Sequence, residues 1–564
     1  MKKFVVASLF FTGIFSFNSC ARIGTPSGGP KDETPPVLEW SRPDTLATNV
    51  STNLKEIELH FDEYVQVKEY NKNVVVSPPL EKNPIVFPQS LAEKTVRIKL
   101  QAPLQANTTY SFNFGDAIQD YNEGNKLSNF SYVFSTGNYI DSLSVKGKVY
   151  PGFDFELPKK TLVGLYKIDE TYNDSIILKN KPYYISRVDE KGNYSLKYLS
   201  PGDYKIVAFE DVIENSKYDP SKEKIAFKNE IIRLKGNEMV DLKLFKEKPK
   251  YRVTNTEMKG IGQIVFRTEG AEEEIRITPI GKEFKTAFVD SHFEKDSVNF
   301  WFNPNIDKLE GKTERLRFAV QHKDKIDTLS VLYKTPLEEY KINFNSYNDT
   351  KFPPNQNYKI AATAPIKSID KSLINVFRDT VAIPFDVRID DVDKQVILFD
   401  FKKDLGEKFE INVYPNAITD IFEAKNDTLV YQFKTGVRED YGNLKVKVTN
   451  LEEDVPVILQ LIKKVKGFEV VEERKSDHKI FEFNNLNPGE YYLRLLVDEN
   501  RNGIWDSGNL LTGSQPEPVY IYPSKITIRA LWDTDETWII GKESEQFIYF
   551  KEEVVDPKNP KSKK

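Results

Sequence analysis

The feature that most constrains this chain is a two-residue alternation of apolar and polar side chains. Ile57, Leu59 and Phe61 fall on one side of an extended segment, and Glu56, Glu58, His60 and Asp62 on the other, which is the period of a half-buried strand. Val96, Ile98 and Leu100 repeat it, as do Phe112 with Phe114 and Tyr132 with Phe134. Turn-forming clusters separate these runs, so the segment predicts an antiparallel sandwich. Aromatic residues make up 12% of the chain and 31 prolines punctuate it, a balance that favours strands over helices throughout. A single cysteine in 564 residues leaves no disulfide to staple a small domain, so each domain needs a core of its own.

Length predicts three to five domains, and internal similarity divides them. YSFNFGDAIQDYNEGN and FEINVYPNAITDIFEAKN align so that Ala117, Ile118 and Asp120 fall on Ala417, Ile418 and Asp420, each followed by a strand closing in Phe134, Thr136, Gly137 or Phe433, Thr435, Gly436. A second pair, LSPGDYKIVAFEDVIENSKYDPS from Leu199 and LNPGEYYLRLLVDENRNGIWDSG from Leu486, places a Pro-Gly turn before a strand that runs into an acidic loop. Two domain types each occur twice, around a strand-rich block with its own alternation in Leu316, Phe318 and Val320. Five β modules in series predict a rod or a curved arch.

Cys20 ends a short N-terminal run of Lys2, Lys3 and the apolar stretch Phe4 to Phe17. That stretch falls short of the about 20 residues a bilayer span requires, so it reads as a cleaved signal. Ser19 suits a bacterial lipobox, whereas Phe17 and Asn18 depart from its usual Leu and small residue. Cys20 is therefore the expected lipid attachment site, the competing reading being an ordinary signal peptide with a stray cysteine; at about 0.8 kcal/mol per buried CH₂ two or three acyl chains hold a protein stably on a membrane. Residues 21–36, rich in Gly, Pro and Ser, read as a tether. The formal charge of −5, more negative still once the two N-terminal lysines are removed, and the lack of a basic patch interleaved with aromatics before the lysine-rich terminus argue against a nucleic-acid partner.

The sharpest chemical motif is Asp498, Asn500, Asn502, Gly503, Asp506, the first half of an EF-hand-like loop, which makes calcium the candidate cofactor. Asn509 stands where the bidentate Glu belongs, and the competing reading is an Asx-rich turn whose side chains bond to their own backbone. The corresponding loop of the other repeat, with Asp211, Asn215 and Asp219, lacks the glycine. Trp505 inside the first loop is a candidate ligand contact that can stack on a sugar or a partner protein, and Trp532 and Trp538 follow it; the competing and commoner reading is that such rings cover the end of a sandwich. His60, His292, His322 and His478 lie far apart in no metal-ligand spacing, and no nucleophile elbow or phosphate-binding loop occurs. No catalytic residue is assigned, and the chain does not read as an enzyme. The lysines of the KNPKSKK ending read as a solvated tail.

The PP-x-V start at Pro35, the HFDEYV strand, the AIQD loop and the FSTG end resemble the bacterial Ig-like domain of envelope proteins. D-x-K-G-N-Y at Asp189 to Tyr194, followed by L-x-P-G-x-Y, resembles the transthyretin or carboxypeptidase-regulatory-like β-sandwich. The whole layout, including CARIGTPSGGPKDETPPVL, is similar to Ig-like-domain lipoproteins of Bacteroidota. The resemblance implies an all-β chain of tandem Ig-like and transthyretin-like sandwiches: signal peptide 1–19, lipidated cysteine and tether 20–36, Ig-like 37–138, transthyretin-like 141–247, middle domain 250–336, Ig-like 337–437, transthyretin-like 441–540 and tail 541–564. It implies a lipid-anchored outer-membrane protein that serves as a structural subunit of an envelope complex, with outer-membrane proteins or β-barrel assembly subunits as partners. A carbohydrate-binding or adhesive lipoprotein, with glycan as ligand, is the alternative. Such lipoproteins are often carried to the cell surface, which favours that side, but the leaflet stays open: the acidic cluster that commonly directs surface export in that phylum directly follows the cysteine, whereas Ala21 and Arg22 stand there here, and Lys31, Asp32 and Glu33 come later.

Overall fold

A computed structural model describes residues 32–541, apart from 89–90, 129, 292–295, 309–312, 335–339, 347–350, 453 and 477. Cys20, the N-terminal apolar run expected to be a signal, His292 and residues 542–564 lie outside the described residues. The fold is all-β, a chain of sandwiches, and among the described residues no helix is long and apolar enough to cross a membrane. Two compact units divide the chain: Met1–Ser142 with Tyr198–Ser200, and Leu143–Lys197 with Pro201–Lys564.

In the first unit, strand Glu56–Val67 pairs with Leu38–Arg42 on one side and Glu93–Lys99 on the other. The facing sheet is Val75–Ser77, Thr109–Gly115 and Phe130–Ser135. The alternation read from sequence becomes the core, because Ile57, Leu59, Phe61, Val96, Ile98, Phe112, Phe114, Tyr132 and Phe134 are all buried in one cluster. The register of Glu56–Val67 breaks between His60 and Val65, and its far end pairs with Ile118–Asp120. Asp120 then closes the loop that follows by accepting from the backbone N–H of Glu123, Gly124 and Asn125 at 2.7 to 2.9 Å. Burial works against this carboxylate, but those N–H groups hold it below its ordinary range.

The second Ig-like sandwich uses the same device. Ile418–Asp420 pairs with Ile366–Ile369, and Asp420, fully buried, accepts from Phe422 and Ala424 N–H and from the Tyr340 hydroxyl. Burial pushes this carboxyl up, so the two equivalent aspartates differ in environment while capping the same turn.

The two transthyretin-like sandwiches correspond strand for strand. In the first, Thr161–Lys167 lies between Tyr184–Arg187 and Gly202–Glu210, with Ile225–Phe227 and Ile232–Leu234 also on the latter. In the second, Val457–Lys464 lies between Phe468–Ser476 and Gly489–Val497, with Val519–Ile521 and Ile526–Ile528 on the latter. Each opposing sheet is closed by a parallel partner at its end, Glu238–Met239 and Leu242–Lys243 on Leu143–Tyr150, and Asp533–Ile539 on Gly442–Thr449. The Pro-Gly turns that mark both repeats place Gly202 at φ 157° and Gly489 at φ 148°. The middle domain packs Arg252–Gly260, Gln263–Glu269, Ser297–Trp301 and Phe288–Asp290 against Arg276–Ile280, Thr313–His322 and Lys325–Lys334, around Phe266, Phe300, Phe302, Phe318 and Tyr333.

Candidate functional site

The acidic loop of each transthyretin-like repeat leaves the long central strand and returns as the next strand of the same sheet. Asp498 is 4% exposed and accepts from Asn502 N–H at 3.0 Å and Gly503 N–H at 2.8 Å. Asp211 does the same with Asn215 and Ser216 N–H, at 2.9 and 3.2 Å. A second carboxylate completes each loop. Glu517 accepts from Asn500 N–H at 3.1 Å and Asp506 N–H at 2.8 Å, and Glu223 accepts from Ile213 N–H at 3.2 Å and Asp219 N–H at 2.8 Å. Counted from the first aspartate, the bonded N–H groups occupy the same positions in both repeats. So do the left-handed residues, Arg501 and Gly503 in one loop and Glu214 and Ser216 in the other. Gly503 takes φ 84° without strain, whereas Ser216 adopts φ 59°, a conformation that favours glycine. Burial raises the carboxyls of Asp211 and Glu223.

The reading of a loop that bonds to its own backbone describes what these side chains do. Asn500 Oδ1 accepts from Asn502 N–H and Asn502 Oδ1 from Ile504 N–H, while both side-chain amides donate to Asp506 Oδ2 at 2.6 Å. Among the described residues no three carboxylates, imidazoles or thiols gather to hold a metal ion. Replacing Asp498 with alanine leaves two backbone donors without their acceptor and is expected to cost about 2 to 3 kcal/mol in EDTA, read from denaturant unfolding. A calcium-dependent stabilisation present in the parent and absent from D498A would instead identify a cation in the loop. Glu223 and Glu517 escaped the sequence reading, although each stands two residues before the returning strand, at Ile225 and Val519, and that shared position was the available signal.

The second loop is seated against the first transthyretin-like sandwich. Its flank 507–515 reaches the other repeat: the Ser507 hydroxyl donates to Lys246 O, Leu510 N–H to Glu247 and the Gln515 amide to Phe227 O. Gly513 O receives the Asn229 amide at 2.8 Å. Tyr218, whose hydroxyl burial pushes far up, stays protonated and donates to Glu247 at 2.6 Å. Beside this contact the segment Phe153–Glu156 covers the outer face of Val457–Lys464. Phe155, 3% exposed, packs with Ile458, Ile462, Tyr492, Leu496, Val519 and Ile521. Its ring stacks on Phe468 at 4.6 Å and meets Tyr492 edge-on at 5.5 Å.

Arg494 lies beneath. Its guanidinium sits 3.7 Å from the Phe153 ring centroid, donates through Nη1 to Phe153 O at 2.9 Å and through Nε to Gln460 Oε1 at 2.8 Å. Burial lowers its pKa to about 10, so it stays charged at neutral pH, stabilised by the aromatic face and two acceptors. Lys464 and Glu156 pair at 2.7 Å at the rim.

Trp505 belongs to this seam. Its ring lies 4.6 Å from that of Phe153, tilted by 40°, and its indole N–H donates to Glu517 O at 2.9 Å, so the half-buried side chain packs in part on the neighbouring repeat. Trp538 is buried, and Trp532, 59% exposed, lies under the Arg529 guanidinium. Of the histidines, His60 stacks on Trp40 at 4.8 Å and shares a hydrogen bond with the Thr95 hydroxyl. His322 is buried at a strand end against Tyr251 and accepts from Glu272 N–H, and His478 is exposed.

Residues 32–136 match the family model described as bacterial Ig-like domain, so the first sandwich is a domain of that type. No curated protein matches the chain. Among solved structures, the major pilin subunit of Bacillus cereus is similar at 12% identity, over 70% of this chain and 99% of that one, with a TM-score of 0.13. A DUF3823 family protein from Parabacteroides merdae is similar at 15% identity, over 35% of this chain and all of that one, with a TM-score of 0.12. An S-layer protein is similar at 11% identity, over 88% of this chain and 68% of that one, with a TM-score of 0.14. At such scores these likenesses decide nothing about this chain.

Proposed function

We propose that this protein is a lipid-anchored outer-membrane lipoprotein, without catalysis of its own, that serves as a structural subunit of an envelope complex handling outer-membrane β-barrel proteins. The observation that supports this most is how the buried ionisable groups are used. Asp120, Asp420, Asp498 and Glu517 accept from the backbone of their own loops, and Arg494 joins two distant repeats. Groups committed in this way fix the shape of a surface, and a fixed surface is what a docking partner needs. Cys20 supplies the anchor in this reading, and outer-membrane proteins or assembly subunits are the partners.

Affinity purification through a C-terminal tag followed by mass spectrometry is expected to recover such partners. Recovery of the protein alone, with retention on a polysaccharide array, would replace this reading with the glycan-binding one. Cys20→Ser is expected to move the protein from the membrane fraction to the soluble fraction. Retention on the membrane would make a protein partner the main anchor.

A further inference from the structure

The two sheets of the middle domain treat their arginines differently. On the four-stranded sheet, Arg252 pairs with Glu269 and Arg267 with Glu257, both at 3.0 Å, the usual way a solvated sheet balances charge across strands. On the three-stranded sheet, the register places Arg315 opposite Leu332, and Arg317 between Ile280 and Ser330. Both arginines are exposed, and among the described residues neither has a carboxylate partner. They lie two residues apart on the central strand and so point the same way, about 7 Å from each other. Around them on this face stand Thr278, Thr328 and Ser330, with Lys334 at the end of the edge strand, all exposed.

No position on this face of the three strands carries a carboxylate. Glu314, between Thr313 and Arg315, belongs to the alternate register opposite Tyr333 and is paired with Lys282 at 3.0 Å, and Glu272, Glu273 and Glu274 precede the far end at Arg276. In a chain with more acids than bases, an unbalanced cationic face is the exception. Ile326 and Leu332 are 61% and 49% exposed on the same face. A shallow hollow at its edge, of about 100 Å³, is lined by Ile280, Arg315 and Arg317 together with the Lys282 and Glu314 pair, whose charges offset each other.

We propose that this face docks on the phosphate headgroups of an anionic membrane surface. Guanidinium forks and hydroxyl donors match phosphate oxygens, a flat face suits a flat partner better than a peptide that needs a groove, and isolated aliphatics on a basic face sit at the headgroup boundary. The proposal takes only its setting from the reading of the protein as membrane-anchored, and its test removes the lipid.

The mature chain carrying Cys20→Ser is sedimented with phosphatidylglycerol-containing vesicles and with purely zwitterionic ones. Binding is expected only to the former, falling as salt is raised. Arg315→Gln with Arg317→Gln is expected to weaken it about 30-fold, the equivalent of about 1 kcal/mol for each cation near an anionic surface, with an unchanged melting curve because both side chains are exposed. Arg252→Gln with Arg267→Gln should leave binding intact. The proposal is overturned if the chain ignores anionic vesicles, if the Arg315/Arg317 variant binds as the parent does, or if polyglutamate is captured while vesicles are not. Release by inorganic phosphate beyond that caused by chloride at equal ionic strength would assign the face to free phosphate and overturn it as well. Failure here leaves the anchor reading standing if unmodified protein still fractionates with membranes through Cys20.

Discussion

Replacing Phe155 with alanine is expected to destabilise the second transthyretin-like sandwich by about 3 to 5 kcal/mol, although Phe155 lies in the first. The ring is buried among six apolar side chains of the other repeat, and removing a buried phenylalanine forfeits both its transfer free energy and the packing around the hole. The loss also uncovers Arg494, whose charge is tolerated because Phe153, its carbonyl and Gln460 surround it. In calorimetry the transition of this part of the chain should fall by about 10 °C or more, since 1 kcal/mol is worth about 4 to 8 °C in a domain of this size. A shift below about 2 °C would mean that the second sandwich is stable without its neighbour and that the seam is incidental contact.

Gly152→Ala should do comparable damage from a position with no side chain at all. Gly152 opens the turn that delivers Phe153 and Phe155, at φ 63°, and a Cβ there would stand 1.8 Å from Leu244 O. The left-handed conformation alone costs an alanine about 1 kcal/mol, but the carbonyl cannot withdraw cheaply, because it belongs to the chain segment whose Leu244 N–H bonds to Tyr150 O at 2.9 Å. The turn must move instead, taking both phenylalanines out of register with the strand they cover, for an expected loss above about 3 kcal/mol. Gly124→Ala is the control: its φ is 79° with nothing within 4 Å of the added Cβ, so it isolates the conformational part, about 1 kcal/mol. Equal effects at the two sites would show that contact with Leu244 is relieved without moving the turn.

Much of this architecture was legible because strands write their faces into the sequence. Ile57, Leu59 and Phe61 alternate and are all buried. The pairs Asp120 with Asp420 and Gly202 with Gly489 stand at equivalent turns, although Asp120 accepts from Glu123, Gly124 and Asn125 and Asp420 from Phe422 and Ala424. The acid loops were half legible: their first aspartates were found, but Glu223 and Glu517 act across a loop, where spacing along the chain says little. The seam was the hardest to see. Its signal lay in Val457–Lys464, where Ile458 and Ile462 are buried on the face opposite Val457, Leu459 and Leu461. An apolar run without alternation means that both faces are covered, yet nothing in one strand says which distant segment provides the cover. Trp505 shows the same limit, since an aromatic ring beside an acidic loop reads alike whether it waits for a ligand or packs on a neighbour.

The bond from Arg494 to the Phe153 carbonyl joins residues 341 positions apart, and this sets an order of events. Synthesis delivers the N-terminal repeat first, so Phe153 and Phe155 emerge long before the strand that will cover them. Until residues near 521 arrive, that pair is a sticky patch on a sandwich that is otherwise complete. Long-range closure of this kind is slow, and apolar surface exposed in the interval invites aggregation. A fragment ending before Val457 is therefore expected to leave Phe155 without the apolar side chains that bury it and to aggregate more readily than the full chain.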